Sequence, residues 1–353
     1  MKSKLFFPFL LAGSFTWWAL SAHSAPSPPL HTHRFLALST QIELMATGVD
    51  KAIAVKAFQE IEEEFDYLNR TWNPWNSSAL ARLNVLFNTT EWVSMAPSVL
   101  TGLARARELS VQSDHLFNPA IGQLIKLWGF HDVHQLPNQP PEHKEIQKLL
   151  KAQPRMNQIE MQGIRIRSTN PDVYVDLGGV AKGFAVERGI EILRHHGIQN
   201  GIVNAGGDLK AIGNRMGRPW RIAIKDPSDP ETLIASLNVD GEESVFTSGD
   251  YERFFIHKGK RYHHIIDPRT GYPASHWHSV TVVHKDPAVA DAGATALFVA
   301  SPDEWPRIAQ QMNIRLVFLV STNGTLHLSH EMANRLTLKK QYPVKKVTLP
   351  PTR

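Results

Sequence analysis

The sequence predicts an α+β fold: mixed, largely antiparallel sheets with helices packed against them. Three observations carry that reading. Short apolar runs alternate with a period of two and are separated by tight-turn residues, as at Lys258-Gly259-Lys260 and Asn323-Gly324. Stretches with helical periodicity are scattered among those runs. Strands come in successive antiparallel sets rather than alternating one for one with helices, as a doubly wound sheet requires. With 353 residues, 42% of them hydrophobic, the chain can bury one large core or two intimately packed lobes.

The elements follow in order. After a Pro-rich spacer, Phe35–Leu44 reads as a strand, and Asp50–Leu68 as a helix with Ala54, Phe58, Ile61, Phe65 and Leu68 on one face. Trp72-Asn73-Pro74-Trp75-Asn76 is a loop, after which Ser78 caps a short helix holding Leu80 and Leu83. Ser98–Ser113 is a helix. His131–Lys151 is polar and proline-containing, a surface insertion with one helix near Glu145–Leu150. Met156–Arg167 is a hairpin around Gln162-Gly163. Val173–His196 then reads as an apolar strand into Asp176, a Gly178-Gly179 turn, and a helix with Val186, Ile190 and Leu193 on one face. Strands follow at Gly201–Asn204, Trp220–Ile224, Ser236–Val239 and Ser244–Thr247. Phe254–His257 and Tyr262–Ile266 form a hairpin, Ser279–Val283 a strand, Ala288–Val299 a helix, and Ile314–Val320 with Thr325–Leu328 a last hairpin.

The two ends differ from the middle. Lys2 and Lys4 precede an apolar run from Leu5 to Leu20 broken by Pro8 and Gly13, and Ala22-His23-Ser24 follows. This pattern predicts a secretory signal peptide over residues 1–24. Cleavage is expected after Ser24, because a cut after Ala25 would set Pro26 beyond the scissile bond; an uncleaved N-terminal anchor is the alternative. Residues 25–338 then carry the folded domain, and 339–353 form a basic, Pro-containing tail, solvated and able to touch anionic lipid or a partner. No cysteine is present, which excludes disulfides, thiolate metal sites, a cysteine nucleophile and a lipid-modified N-terminal cysteine. The net charge of +5 is mild and no basic stripe interleaves with aromatics, so nucleic acid is not indicated as a partner.

Five stretches can carry chemistry. The strand–glycine–helix unit at Asp176-Leu177-Gly178-Gly179 presents free backbone N–H groups that suit an anion, and Lys182 in the first helical turn can add a mobile positive charge; an ordinary strand-to-helix connection reads the same. Asp291 and Thr295 fall on one helix face, and a carboxylate with a hydroxyl is the hard oxygen chemistry of Mg²⁺, although a helix cap with an inward-packed threonine has the same spacing. His263-His264-Ile265-Ile266-Asp267-Pro268 ends a strand in a tight turn. The two histidines point to opposite faces, so one can be a general base, or both can be solvated. Thr247-Ser248-Gly249-Asp250-Tyr251 is rich in hydroxyls but lacks the G-x-S-x-G context of a nucleophile, so Ser248 reads as a ligand-binding or turn residue. Asn204-Ala205-Gly206-Gly207-Asp208 is a second glycine turn without the G-x-G-x-x-G order of a dinucleotide site.

Taken together, VDLGGVAKGFAVE, NAGGDLKAIG, TSGDYERFF, HHIIDPRTGYPA and ADAGATALFVA resemble the ApbE family of flavin transferases. The resemblance runs from about Arg34 to about His330, with the motifs in the family's order. It implies an ApbE-like fold and a Mg²⁺-dependent enzyme that moves FMN from FAD onto a threonine of an acceptor flavoprotein, releasing AMP. FAD pyrophosphatase activity, or FAD binding without catalysis, would share these motifs. By the same resemblance, flavin contacts fall on Leu38, Trp72, Leu116, Phe117, Asn118, Asp176, Lys182 and Ile266. The metal falls on Gly179, Asp291 and Thr295, and the candidate base is His264. The resemblance also implies acceptors that are membrane redox subunits or related flavoproteins. It fits an exported, periplasmic protein with possible peripheral contact at the inner membrane. Three positions depart from the family pattern: Ser39 in place of glycine, Asn118 in place of aspartate, and Ala294 where some members carry a second carboxylate.

Overall fold

The computed structural model describes residues 29–132, 135–349 and 351. The expected signal peptide lies outside them. Among the described residues no helix is long and apolar enough to cross a membrane. The centre is a nine-stranded sheet. Its strands are β1 (Leu30–Ala37), β2 (Thr40–Thr47), β3 (Asn200–Ala205), β4 (Asp208–Ile212), β5 (Glu243–Gly249), β6 (Trp277–His284), β7 (Leu316–Ser321), β8 (Leu326–Ser329) and β9 (Val344–Val347). They lie side by side in chain order, and every neighbouring pair is antiparallel except β8 with β9. The expected α+β class is what the chain adopts.

Alternation along the strands separates two cores. Leu44, Val203, Val280, Val317 and Leu319 face the larger one. Against it pack α1 (Lys51–Trp72), α2 (Ala79–Phe87), α3 (Pro97–Gln112), and further along the chain Ala181–His195 and Pro287–Val299. Ile202, Val245, Phe318, Val320 and Leu328 point the other way, onto a three-stranded sheet that includes Trp220–Asp226 and Asp229–Val239. A third, aromatic cluster joins Trp128, Phe130 and Phe255 with Ile146 and Ile266. It is built from α4 (Gly122–Leu127), α5 (His143–Lys151) and the hairpin Phe254–His257 with Lys260–His263. The helix Ala181–His195 is α6 and Pro287–Val299 is α7.

Several expectations change. Phe35–Leu44 is not one strand but parts of β1 and β2, folded back at Leu38-Ser39. Both turn residues take the left-handed region, φ 51° and 59°, as a two-residue hairpin turn demands. Neither is glycine or asparagine, so no turn signal marks the spot. Val173–Asp176 is extended but joins no sheet: Tyr174 makes a single parallel bridge to Ile121, and the Asn84 side chain holds Val175 from both sides, at 2.9 and 2.7 Å. The polar 131–151 segment is more than a surface insertion, because Ile146 of α5 is fully buried in the aromatic cluster. The basic end is not loose either. β9 lies within it and pairs with β8, and Leu349 is buried. The Ser78 cap stands as read, accepting the Ala81 N–H at 2.9 Å.

What positions the site is the crossing of α6 and α7. A Cβ on Gly183 would come within 2.5 Å of the Pro287 carbonyl oxygen, so only glycine lets the two helices meet this closely. α7 is alanine-rich and almost wholly buried, and its N-terminus is capped by Asp286, which accepts from Ala288 N at 2.8 Å.

Candidate active site

The ends of three sheet segments meet at one edge of the molecule. Register places the start of β2 beside the β3–β4 turn, and that turn beside the end of β5. The glycine turn before α6 and the inner end of the hairpin complete the ring. Together they enclose a cavity of about 840 Å³, within the range of ligand-sized sites. Leu38, Trp72, Asp176, Gly179, Lys182, His264, Asp291 and Thr295 all line it.

One corner is carried by the helix crossing. Asp291 is buried on α7 and its Oδ2 accepts the Gly183 N–H at 2.8 Å. Burial pushes its pKa up to about 7, while Lys182 pulls it back and Asp208 adds to the rise. Thr295, one helical turn on, has its hydroxyl 3.3 Å from that of Ser248. Gly179 adjoins them: a Cβ there would lie 3.5 Å from Thr295 Oγ1 and 3.2 Å from the Phe117 ring. Carboxylate, hydroxyls and a backbone turn thus converge as an all-oxygen set.

Lys182 is not the mobile charge that the sequence suggests. It is closed on Asp208 in a short ion pair. Burial works against its charge, yet Asp208 and Asp291 outweigh burial and hold its pKa above the ordinary lysine value. Asp208 is itself buried, and its Oδ1 accepts the Thr247 N–H at 2.8 Å. A chain of charges, Asp208–Lys182–Asp291, therefore crosses the cavity floor. The glycine turn 206–207 was readable in the sequence, and the aspartate directly after it was the signal for this partner.

The opposite wall is the hairpin. His263 and His264 face different ways, as their alternation predicts, but they are not a solvated pair: His264 is half-buried on the cavity wall. His263 is buried and its Nε2 lies 2.7 Å from the Ala274 carbonyl. The His264 Nδ1 lies 3.3 Å from the carbonyl of Arg253, an acceptor only, so Nδ1 carries the proton and Nε2 is the free acceptor. Burial first, then the nearby Arg253, push the His264 pKa well below 6.5, leaving the ring neutral at neutral pH. Asp176 accepts the Gly178 N–H at 2.8 Å, and burial raises its pKa against the pull of that N–H and of Arg253.

The third wall is aromatic. Trp72 packs edge-on to Phe184 at 5.1 Å, and its indole N–H is buried without an acceptor among the described residues. Trp75 stacks on Tyr174 at 5.2 Å. The sequence placed Trp75 in a loop without assigning it a role.

Leu116, Phe117, Asn118 and Ile266 do not line the cavity. Leu116 and Phe117 are core residues, Phe117 standing directly behind Gly179. The Asn118 amide donates to the Pro154 carbonyl at 2.9 Å and its oxygen accepts Ala120 N at 3.2 Å, a structural use. Ile266 belongs to the aromatic cluster. Arg253 lines the cavity and was not singled out, whereas Tyr251, also in the lining, closes the hydroxyl-rich segment read from the sequence. Only the hairpin register brings Arg253 beside His264.

Fold and site define a class: an α+β protein with one large cavity at a sheet end, where a buried acid–hydroxyl–glycine corner faces a neutral histidine. The comparisons give the family. The model of the ApbE family matches residues 38–318. The FAD:protein FMN transferase of Rhodobacter capsulatus is 36% identical over 317 residues, 89% of this chain, and the match spans 59% of that relative's length. A Klebsiella pneumoniae FAD:protein FMN transferase is 33% identical over 321 residues, covering 89% of this chain and 97% of the relative. The crystal structure of an ApbE protein from Thermotoga maritima superposes with a TM-score of 0.79 at 30% identity, over 89% of this chain and 100% of that one. The flavin transferase ApbE from Vibrio cholerae gives 0.75 at 26% identity, over 87% and 99%. The chain belongs to the ApbE family.

Proposed function

We propose that this chain is an FAD:protein FMN transferase that moves FMN from FAD to a threonine hydroxyl of an acceptor flavoprotein and releases AMP. The observation that carries this is the meeting of Asp291, Thr295 and Gly179 with His264 in one cavity of about 840 Å³, in a chain of the ApbE family. The names of the relatives support it.

The corner fits Mg²⁺ by the chemistry of its donors. Asp291, Thr295 and the Gly179 backbone are hard oxygen groups, and Ser248 stands next to Thr295 as a further oxygen. Ala294 withholds a second carboxylate from the same helix. When bound, Mg²⁺ supplies positive charge that offsets the pyrophosphate and the departing AMP. The chain's own part is positioning. The Gly183 N–H fixes Asp291, and Asp208 fixes Lys182 so that its charge faces Asp291. Trp72 and Trp75 offer flat apolar surface to the rings of FAD. Phe117 acts from behind Gly179, Asn118 by holding the preceding turn, and Ile266 by seating the hairpin.

The reaction is a displacement at phosphorus. The acceptor's hydroxyl oxygen bonds to the phosphorus bearing FMN as the bridging bond to AMP breaks, and AMP leaves with the electron pair. The hydroxyl proton passes to His264 Nε2 and from there to water. The test is incubation with FAD, Mg²⁺ and the unmodified form of a flavoprotein that matures with threonine-linked FMN. Intact mass should show one FMN added per acceptor. FMN and AMP formed with the acceptor unchanged would replace transfer by FAD hydrolysis.

The acceptor side is expected to be exported. Residues 1–24 act as the signal peptide, acceptors are membrane redox subunits or similar, and Lys345 and Lys346 on β9 are available for peripheral contact with an inner membrane. Exported protein that retains Met1 would overturn the cleavage.

A further inference from the structure

Arg253 is a cation of the cavity wall that the reaction scheme above leaves unused. Its guanidinium forms no hydrogen bond or ion pair with any described residue. Of the other lysine and arginine side chains lining the cavity, Lys182 is closed on Asp208, and Lys225 is exposed at the rim. Arg253 is half-buried. Burial lowers its pKa while Asp176 and Glu252 pull the other way, and a guanidinium stays charged throughout. Its N–H donors face the cavity and no protein acceptor among the described residues, so a ligand that enters can take them up. Phosphate oxygens match the planar fork of a guanidinium.

Its position narrows the choice of phosphate. The Arg253 carbonyl accepts the His264 N–H at 3.1 Å and faces His264 Nδ1 at 3.3 Å. The pair continues the hairpin ladder past Phe254 and His263, so the two side chains reach the cavity side by side. In an in-line displacement the nucleophile and the leaving group stand on opposite sides of the phosphorus. A residue adjoining the base meets the transferred phosphoryl group rather than the departing AMP.

We propose that Arg253 is a further catalytic residue, its guanidinium binding the FMN-bearing phosphate of FAD beside the point where His264 takes the acceptor's proton. The inference rests on the transferase reading. Arg253 gains and loses no proton; the threonine–phosphorus bond forms, the bond to AMP breaks, and the guanidinium holds the oxygens of the group in flight. Asp176, whose charge is felt at Arg253, has Oδ1 occupied by the Gly178 N–H at 2.8 Å. The charged and titratable groups felt at His264 are Arg253, His263 and Lys182. Removing Arg253 therefore takes away a repulsion that disfavours His264 protonation.

The test compares Arg253→Met and Arg253→Lys with the parental chain, using FAD, Mg²⁺ and the unmodified acceptor. In Arg253→Met, kcat for FMN transfer should fall by about 10²-fold, as for a lost transition-state donor, while FAD affinity read by fluorescence changes less than about tenfold. Its acid limb, where His264 is protonated, should move to higher pH, which a merely structural role would not cause. Parental kcat in Arg253→Met, or loss of FAD affinity with kcat unchanged, would overturn the assignment. If Arg253→Met does not fold, Arg253→Lys decides: charge without the fork should still cost about tenfold or more in kcat, and a parental rate overturns the proposal. A parental chain that flavinylates no acceptor defeats the transferase reading itself, and this inference with it.

Discussion

The two polar walls of the cavity are built in different ways. Asp291 and Thr295 stand on α7, a helix buried on nearly every side and crossed by α6 at Gly183, where no side chain fits. Arg253 and His264 stand at the end of a two-stranded hairpin inserted between β5 and β6, seated on the aromatic cluster of Trp128, Phe130 and Phe255. The first wall inherits the rigidity of the main core. The second depends on a small satellite core of its own. A corner that is to hold a metal, as proposed, tolerates little displacement of its oxygens, whereas the proposed proton acceptor would have to meet a second protein and is better placed on a separately supported element.

The sharpest way to break the comparison is Asp291→Ala. It should abolish metal-dependent FAD turnover, because the corner loses its carboxylate, while the fold survives at a cost of about 1–3 kcal/mol for the Gly183 N–H left unpaired. Retained turnover with the same Mg²⁺ dependence would remove Asp291 from the corner. Next comes His264→Ala, which should lower FMN transfer by roughly 10²–10⁴-fold with FAD binding kept. His263→Ala should leave the chemical step intact. It gives up the bond to Ala274 and the packing on Phe298, however, so it should cost about 1–3 kcal/mol of stability in a denaturant titration. Equal transfer by both variants would show that the wall carries no base.

Trp128→Ala sharpens the contrast between the walls. Trp128 is fully buried, stacks near Phe130 and Tyr262, and donates to the Gly271 carbonyl at 2.8 Å. Emptying that site should cost about 3–5 kcal/mol locally. Hydrogen exchange should rise first in the hairpin and α5, leaving α6 and α7 protected. Uniform loss of protection would mean that the satellite core is not separate. The smallest effect concerns a group outside both walls. His327 on β8 is buried, its Nδ1 has no partner among the described residues, and burial with Lys345 lowers its pKa. The unfolded chain then protonates near pH 6.5 before the folded one does, so this histidine costs stability as pH falls through 6.5. His327→Phe should show a smaller drop in melting temperature between pH 7.5 and 5.5. An unchanged drop would place the acid sensitivity elsewhere.

The α7 motif shows why much of the site was readable. Asp291 and Thr295 lie one helical turn apart, so local geometry alone puts them on the same face, whatever surrounds the helix. The Gly178-Gly179 turn was readable for the same reason. Lys182 was misjudged because its partner Asp208 is remote in sequence and arrives only when β3 and β4 pair. Asn118, Phe117, Leu116 and Ile266 carried family expectations, but packing directs their side chains into cores and turns rather than the cavity.

By itself the sequence determined the periodicities, hence the α+β class, most of the strands and helices, and the local pairs that lie within one turn of a helix or a tight bend. These follow from backbone geometry over a few residues. The tertiary structure alone decided where chain reversals without glycine occur, as at Leu38-Ser39, and that the basic end closes the sheet as β9. It also set Asp208 against Lys182 and left Arg253 beside His264 with no partner among the described residues. Such features depend on which distant segments share a register or a cavity, and on the solvent that burial takes away from their charges.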